Sequence, residues 1–148
     1  MGFKYTHTVH ILDTNIEGNV YFTRFFEWQG ITREEYLKSK LTPEQSVAFW
    51  SSGIRLITVD AFVEYINEAR LFDQIEIEMT TKNIKKASLE MWFAYKNKLN
   101  GQLLAKGKQT LTFRNKNNKI IPIPDFILKI AKEIQEEPKA KITARTKI

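Results

Sequence analysis

The residues best suited to act on a carbonyl group gather early in the chain. Asp13-Thr14-Asn15-Ile16-Glu17-Gly18-Asn19 is a run of turn and cap formers. Within it, Asn15 carries a donor and an acceptor on one amide, and Gly18 lets another backbone come close. A helix is expected to start directly afterwards, at Val20, with Asn19 as its N-cap. The first N–H groups of such a helix, near Tyr21 and Phe22, have no acceptor of their own and lie at its positive end. That end is a ready site for a polarised carbonyl oxygen. Ordinary turn chemistry accounts for Asp13 and Asn15 equally well at this level.

Further along the same helix, Gln29 and Arg33 interrupt an apolar stripe. It runs through Phe22, Phe26, Arg33 and Leu37, flanked by Phe25, Gln29 and Tyr36. The two polar residues are four apart and therefore neighbours on the helix surface. A guanidinium in such a stripe is costly unless paired or hydrogen-bonded. One reading is structural, an arginine that snorkels or pairs with a carboxylate such as Glu64. The other is a cation aimed at a developing oxyanion or a bound carboxylate.

Other chemistries lack their parts. Cysteine is absent, which removes thiolate nucleophiles, Cys-ligated metals and disulfides and fits a reducing cytosol. No G-x-S-x-G elbow surrounds Ser46, Ser51, Ser52 or Ser88, and no glycine-rich phosphate loop is present. His7 and His10 are the only histidines; three apart on a strand, they face opposite ways, so no metal site is expected. The net charge of +6 suggests nucleic acid until it is located. From Lys116 onward there are eight Lys/Arg and four Asp/Glu, a net of +4, which leaves only +2 for the first 115 residues. No basic stripe with interleaved aromatics appears there, so a solvated basic tail is expected and nucleic-acid binding is not. A modest positive surface also suits an anionic partner such as a coenzyme A phosphate or an acidic carrier protein. The start of the chain lacks the pattern of a signal peptide, and no apolar run approaches the roughly 20 residues that span a bilayer.

The elements that must position these residues follow from periodicity. Phe3 to Leu12 alternates as a strand, and Val20 to Lys40 reads as a helix about 30 Å long at 1.5 Å per residue. Thr42 and Pro43 open a short helix to about Ser51. Strands follow at Ile54–Glu68, Gln74–Lys82, Ala87–Lys96 and Gln102–Arg114, the last two joined through Asn100-Gly101. A short amphipathic helix spans Pro124 to Glu136. Residues 1–137 form one domain, and 138–148 a loose basic tail. The order predicts an α+β fold, an antiparallel sheet of about five strands wrapped around one long helix.

The segment from Asp13 to Phe22, with Trp28-Gln29-Gly30 and Arg33-Glu34, resembles the 4-hydroxybenzoyl-CoA thioesterase superfamily of hotdog proteins. It is more similar still to the enediyne polyketide thioesterases. That likeness continues through Glu64-Tyr65, Phe72-Asp73, Phe93-Ala94-Tyr95 and Ala105-Lys106-Gly107-Lys108-Gln109, and so covers about residues 3 to 114. The resemblance implies a hotdog domain acting on acyl-CoA or acyl-carrier-protein thioesters, without cofactor, in the cytoplasm, as a homodimer or homotetramer with sites at subunit boundaries. In the benzoyl-CoA branch the second acid of the loop motif is nucleophile or base; here that position is Asn15, and an amide can be neither. The enediyne branch is similar in lacking the acid. By that likeness Asn15 and Arg33 act, and the Phe22 N–H polarises the thioester carbonyl. The base stays open among hydroxide, a carboxylate on the substrate and Glu64. Asn19, Tyr21, Phe26 and Gln29 are the expected substrate contacts. A non-catalytic acyl-binding or scaffolding hotdog is the alternative. A hotdog dehydratase is disfavoured, since neither histidine lies on the helix or its leading loop.

Overall fold

The computed structural model describes residues 2–136. The expected tail, 138–148, lies outside the described residues. Alternating side chains build a single antiparallel sheet from β1 (Phe3–Thr8), β2 (Arg55–Tyr65), β3 (Gln74–Lys82), β4 (Ser88–Asn97), β5 (Leu103–Arg114) and a two-residue β6 (Ile120–Ile121). The strand order is β1-β3-β4-β5-β2, with β6 beside β5. Six strands rather than five result because the Asn115–Asn118 turn returns the chain for two pairs, Phe113 with Ile121 and Arg114 with Ile120. One face of the sheet carries Ile75, Ile77, Met79, Leu89, Phe93, Tyr95, Leu111 and Phe113, all buried. That face wraps α1 (Arg24–Lys40). Burying each such side chain stabilises the fold by about 1.5–3 kcal/mol.

The stripe on α1 is turned from the expected one. Its buried residues are Phe25, Trp28, Gln29, Thr32, Tyr36 and Leu37. Trp28 and Thr32 therefore hold the centre, with the Thr32 hydroxyl donating to Trp28 O at 2.7 Å. Phe22 is half-exposed instead.

Two boundaries move, and both moves shape the site. The first strand stops at Thr8, because Val9 exchanges backbone bonds with Asp73 and Phe72 and Ile11–Asp13 winds into a 3₁₀ turn. The long helix starts at Arg24, not Val20, because Val20 pairs with Thr14 and Asn19 with Arg70 as isolated bridges. Extended backbone there cannot be helical, so Asn19 is not the N-cap. Thr23 is, without a side-chain bond. Downstream, α2 (Pro43–Ser51) has the expected Thr42 cap, reciprocated by Gln45. The last helix, α3 (Asp125–Glu133), sets Ile127, Ile130 and Ala131 beside Tyr36 and Leu37 of α1. Its late carbonyls are held by the Tyr36 hydroxyl on Ile130 O and the Thr81 hydroxyl on Ala131 O, each at 2.6 Å.

Candidate functional site

The loop ahead of α1 is organised by Asp13. Its buried carboxylate accepts from His7 Nε2 at 2.9 Å and from the His10 N–H at 3.0 Å, with Arg24 Nε 3.9 Å away. Burial opposes ionisation, but the His10 and His7 bonds and the nearby Arg24 outweigh it and hold the carboxyl below its ordinary range. Asp13 O accepts the Tyr21 N–H at 2.8 Å, so that amide is not free. The Phe22 N–H has no hydrogen-bond acceptor among the described residues. It sits at the positive end of a 17-residue helix.

Asn15 forms a tight turn. Its N–H donates to Asn19 O, its own carbonyl accepts from Gly18 N, and its Oδ1 accepts from Glu17 N at 2.9 Å. Gly18, at φ +86°, supplies the left-handed backbone that the turn requires. The Asn15 carbonyl oxygen is thus taken up locally, and its Nδ2 is the group left to donate.

Beside the start of α1 lies an open groove of about 260 Å³, lined by Asn19, Phe22, Phe25, Tyr65, Asn67 and Glu68 among others. The Tyr65 hydroxyl donates to Phe22 O at 2.6 Å and fixes that peptide. Asn19 Oδ1 is buried without a partner, while its Nδ2 donates to Glu68 Oε1 at 3.4 Å. Tyr21 is exposed, stacked on Phe22 at 4.9 Å, and Phe26 is half-buried.

A second polar group runs along α1 against β2 and β5. Gln29 is 0% exposed; its Nε2 donates to Phe62 O at 3.1 Å and its Oε1 has no partner. Arg33 Nη1 donates to Gln109 Oε1 at 2.8 Å and to Thr58 Oγ1 at 3.3 Å. Burial pulls the guanidinium below its usual value, with Glu34 opposing, yet an arginine stays charged. No carboxylate pairs with it among the described residues. Its charge is solvated by neutral acceptors, and most of its donors remain available.

Glu64 takes no part in either group. In register it faces Lys106, and on β2 it points away from the face that carries Val63 and Tyr65. Within one chain, then, Asn19 and Phe22 share the groove, and Gln29 and Arg33 share the polar seam. Nine residues of α1 separate Arg24 from Arg33, roughly 13 Å of axis. Residues that sequence reasoning missed are Tyr65, Thr58, Gln109 and Glu68. Gln109 was discoverable: Ala105, Gly107, Gln109, Leu111 and Phe113 share the inner face of β5, and only Gln109 is polar among them. No group of three or more His, Cys, Asp or Glu able to hold a metal occurs among the described residues. No helix among them is long and apolar enough to cross a membrane.

Comparison with known proteins gives three consistent findings. Residues 9–130 match the family model of the thioesterase-like superfamily. A protein of Aquifex aeolicus named as an esterase is 23% identical over 133 residues, 90% of this chain and 100% of that one. Among solved structures, the dynemicin thioesterase superposes with a TM-score of 0.84 at 26% identity, covering 93% of this chain and 100% of the other. A 1,4-dihydroxy-2-naphthoyl-CoA thioesterase from Synechocystis gives 0.81 at 20% identity, covering 90% and 98%.

Proposed function

The chain belongs to the thioesterase-like superfamily and is an acyl-thioester hydrolase; from that premise we propose how it works and on what. The substrate is an acyl or polyketide chain held as a thioester on coenzyme A or an acyl carrier protein, hydrolysed in the cytoplasm without a cofactor. The thioester oxygen rests against the Phe22 N–H, Asn15 Nδ2 orients the acyl group or the water, and Arg33 stabilises the negative charge. One observation carries this reading: Phe22, whose N–H has no acceptor among the described residues, lines a groove at the start of α1, and no acid stands at Asn15 to make a covalent intermediate. Positioning and electrostatics then supply the rate, and one oxyanion donor is typically worth about 10²–10³. An apolar gap beyond Arg33, lined by Leu56, Met91, Phe113, Ile127 and Ile130 and closed to about 10 Å³, supports an apolar tail that enters when α3 gives way. The dynemicin thioesterase undergoes induced-fit effects upon polyene binding.

The reading also requires a second copy. β2 is an edge strand with Val59 and Phe62 exposed. Along one chain Thr58, the seat of Arg33, is seven residues from Tyr65 at the groove, roughly 20 Å of strand. Two β2 strands paired antiparallel about Asp60 would set Thr58 opposite Phe62 of the other copy, only three residues, roughly 10 Å, from that copy's Tyr65. Arg33 of one chain thus serves the groove of its neighbour, in a homodimer or a pair of dimers.

Thiol release from a panel of acyl-CoA and acyl-carrier thioesters tests both parts. Arg33→Ala and Asn15→Ala should each lose at least about 10²-fold with the fold intact. Mixed dimers of the two variants should recover about a quarter of wild-type activity, since half the dimers hold one complete site of two. Near wild-type rates in both variants would refute the site, and a mixture no better than either parent would refute the sharing.

A further inference from the structure

The thioesterase reading, on which this inference rests, leaves the proton of the attacking water without an acceptor. Asn15 is an amide. Asp13 is buried beneath His7 and the His10 N–H, and Glu64 points across the sheet from the groove. Four residues beyond Glu64 the chain offers another carboxylate. After Tyr65 the pairing with β5 becomes irregular, because Ile66 and Asn67 both donate their N–H to Leu104 O, at 2.9 and 3.0 Å. Asn67 Nδ2 donates to Leu103 O at 2.8 Å. Two consecutive amides on one carbonyl end the strand's alternation, and Glu68 comes to line the groove with Phe22, Tyr65 and Asn19. The Val20 N–H bond to Ala69 O at 2.8 Å and the Asn19–Arg70 bridge lock this segment against the loop.

Among the described residues, Glu68 is the one carboxylate lining that groove. Its Oε1 accepts from Asn19 Nδ2 at 3.4 Å and its Oε2 from Arg70 Nη2 at 2.9 Å. The side chain is 59% exposed, so water reaches it. Beside it, Asn19 Oδ1 is closed off from solvent, and the amide turns its Nδ2 towards Glu68.

We propose that Glu68 is the general base of the reaction and that Asn19, through its Nδ2, holds that carboxylate at the groove. Glu68 takes a proton from the water as the water oxygen bonds the carbonyl carbon, and the carbonyl electron pair moves onto the oxygen facing the Phe22 N–H. The carbon–sulfur bond then breaks, and the departing thiolate takes the proton back from Glu68, which leaves a carboxylic acid and a free thiol.

The test is a pH–rate profile of full-length wild type and Glu68→Gln on the best thioester of the panel. Glu68→Gln should lower kcat by roughly 100-fold with KM little changed. Its residual rate should climb with hydroxide concentration more steeply than the wild-type rate does. Glu68→Gln within about twofold of wild-type kcat, or with a dependence on hydroxide no steeper than the wild type's, overturns the assignment while leaving the thioesterase reading in place. A wild type that releases no thiol from any substrate overturns both.

Discussion

Gly107 lies within β5, opposite Val63 on one side and Phe93 on the other, and a methyl group there meets three neighbours at once. A Cβ would stand 2.3 Å from Gln29 Nε2, 3.0 Å from Phe62 O and 3.3 Å from Tyr95 Oη. Phe62 O belongs to the sheet backbone, and Tyr95 is fully buried with its hydroxyl donating to Phe25 O at 2.9 Å. Gln29 must therefore yield. Displacing it breaks the bond to Phe62 O and strands buried polar groups, about 1–3 kcal/mol. The crowding adds about 1–3 kcal/mol more. We expect Gly107→Ala to lose roughly 2–6 kcal/mol, which at about 2–4 °C per kcal/mol for a chain of this size lowers the melting temperature by roughly 4–24 °C. Urea unfolding followed by circular dichroism gives the free energy directly. In a Gln29→Ala background the new methyl finds space, so the double variant should be at least about 1 kcal/mol more stable than additivity requires. Gln29 sits one turn before Arg33, and kcat should fall with the displacement. A Gly107→Ala protein that melts within about one degree of wild type, or an additive cycle, would refute the packing argument.

Two further outcomes follow from titrating groups. The folded chain holds the Asp13 carboxyl below the ordinary range, so on acidification the unfolded chain binds this proton first. The stability it contributes is complete above about pH 4 and is lost as pH falls further; Asp13→Asn should flatten that part of an acid-unfolding curve and disorder the Asn15 turn, as amide exchange at Tyr21 would report. Burial, with Glu133 adding to it, pushes the Tyr36 phenol up to about 12. Its contribution is therefore complete below about pH 10 and declines as pH rises towards the folded value. Tyr36→Phe loses the bond to Ile130 O, roughly 1 kcal/mol near neutrality. Its alkaline unfolding curve should be shallower than the wild type's between those limits; equal slopes would count against the assignment.

Much of this was readable in the chain because it depends on period. Strands β3 and β4 alternate cleanly, and their buried residues are the ones that alternation picks out: Ile75, Ile77 and Met79, then Leu89, Met91, Phe93 and Tyr95. The single sheet around one helix follows from strand count and element order. The stripe on α1 was read about one position out because its centre is Trp28 and Thr32, and a polar residue such as Thr32 carries no hydropathic signal of burial. Gln29 pays its way with Phe62 O, a partner 33 positions distant that no local pattern reveals. Arg33 stood out correctly as an anomaly, but its partners Thr58 and Gln109 come from strands that meet only in the folded sheet. Glu64 was the carboxylate picked out in sequence, and Glu68 was not. Only the doubled bond at Leu104 O decides which one turns towards α1.

The displaced start of α1 has the largest consequence for the chemistry. Had the helix begun at Val20, Asn19 Oδ1 would have accepted one of the first helical N–H groups and been withdrawn from the groove. Pairing of Val20 with Thr14 and of Asn19 with Arg70 pulls that stretch into extended backbone instead. The cap passes to Thr23, whose side chain makes no capping bond. A missing cap costs about 1 kcal/mol, and here the loss falls where free donors are needed. Moving the start by four residues leaves the Phe22 N–H open, leaves Asn19 Oδ1 buried and unmatched, and brings Glu68 alongside both through the same bridge. If that bridge is what assembles the groove, Val20→Pro, which removes the N–H bonded to Ala69 O, should cost more in kcat than in melting temperature. A proportionate loss of both would make the bridge merely structural.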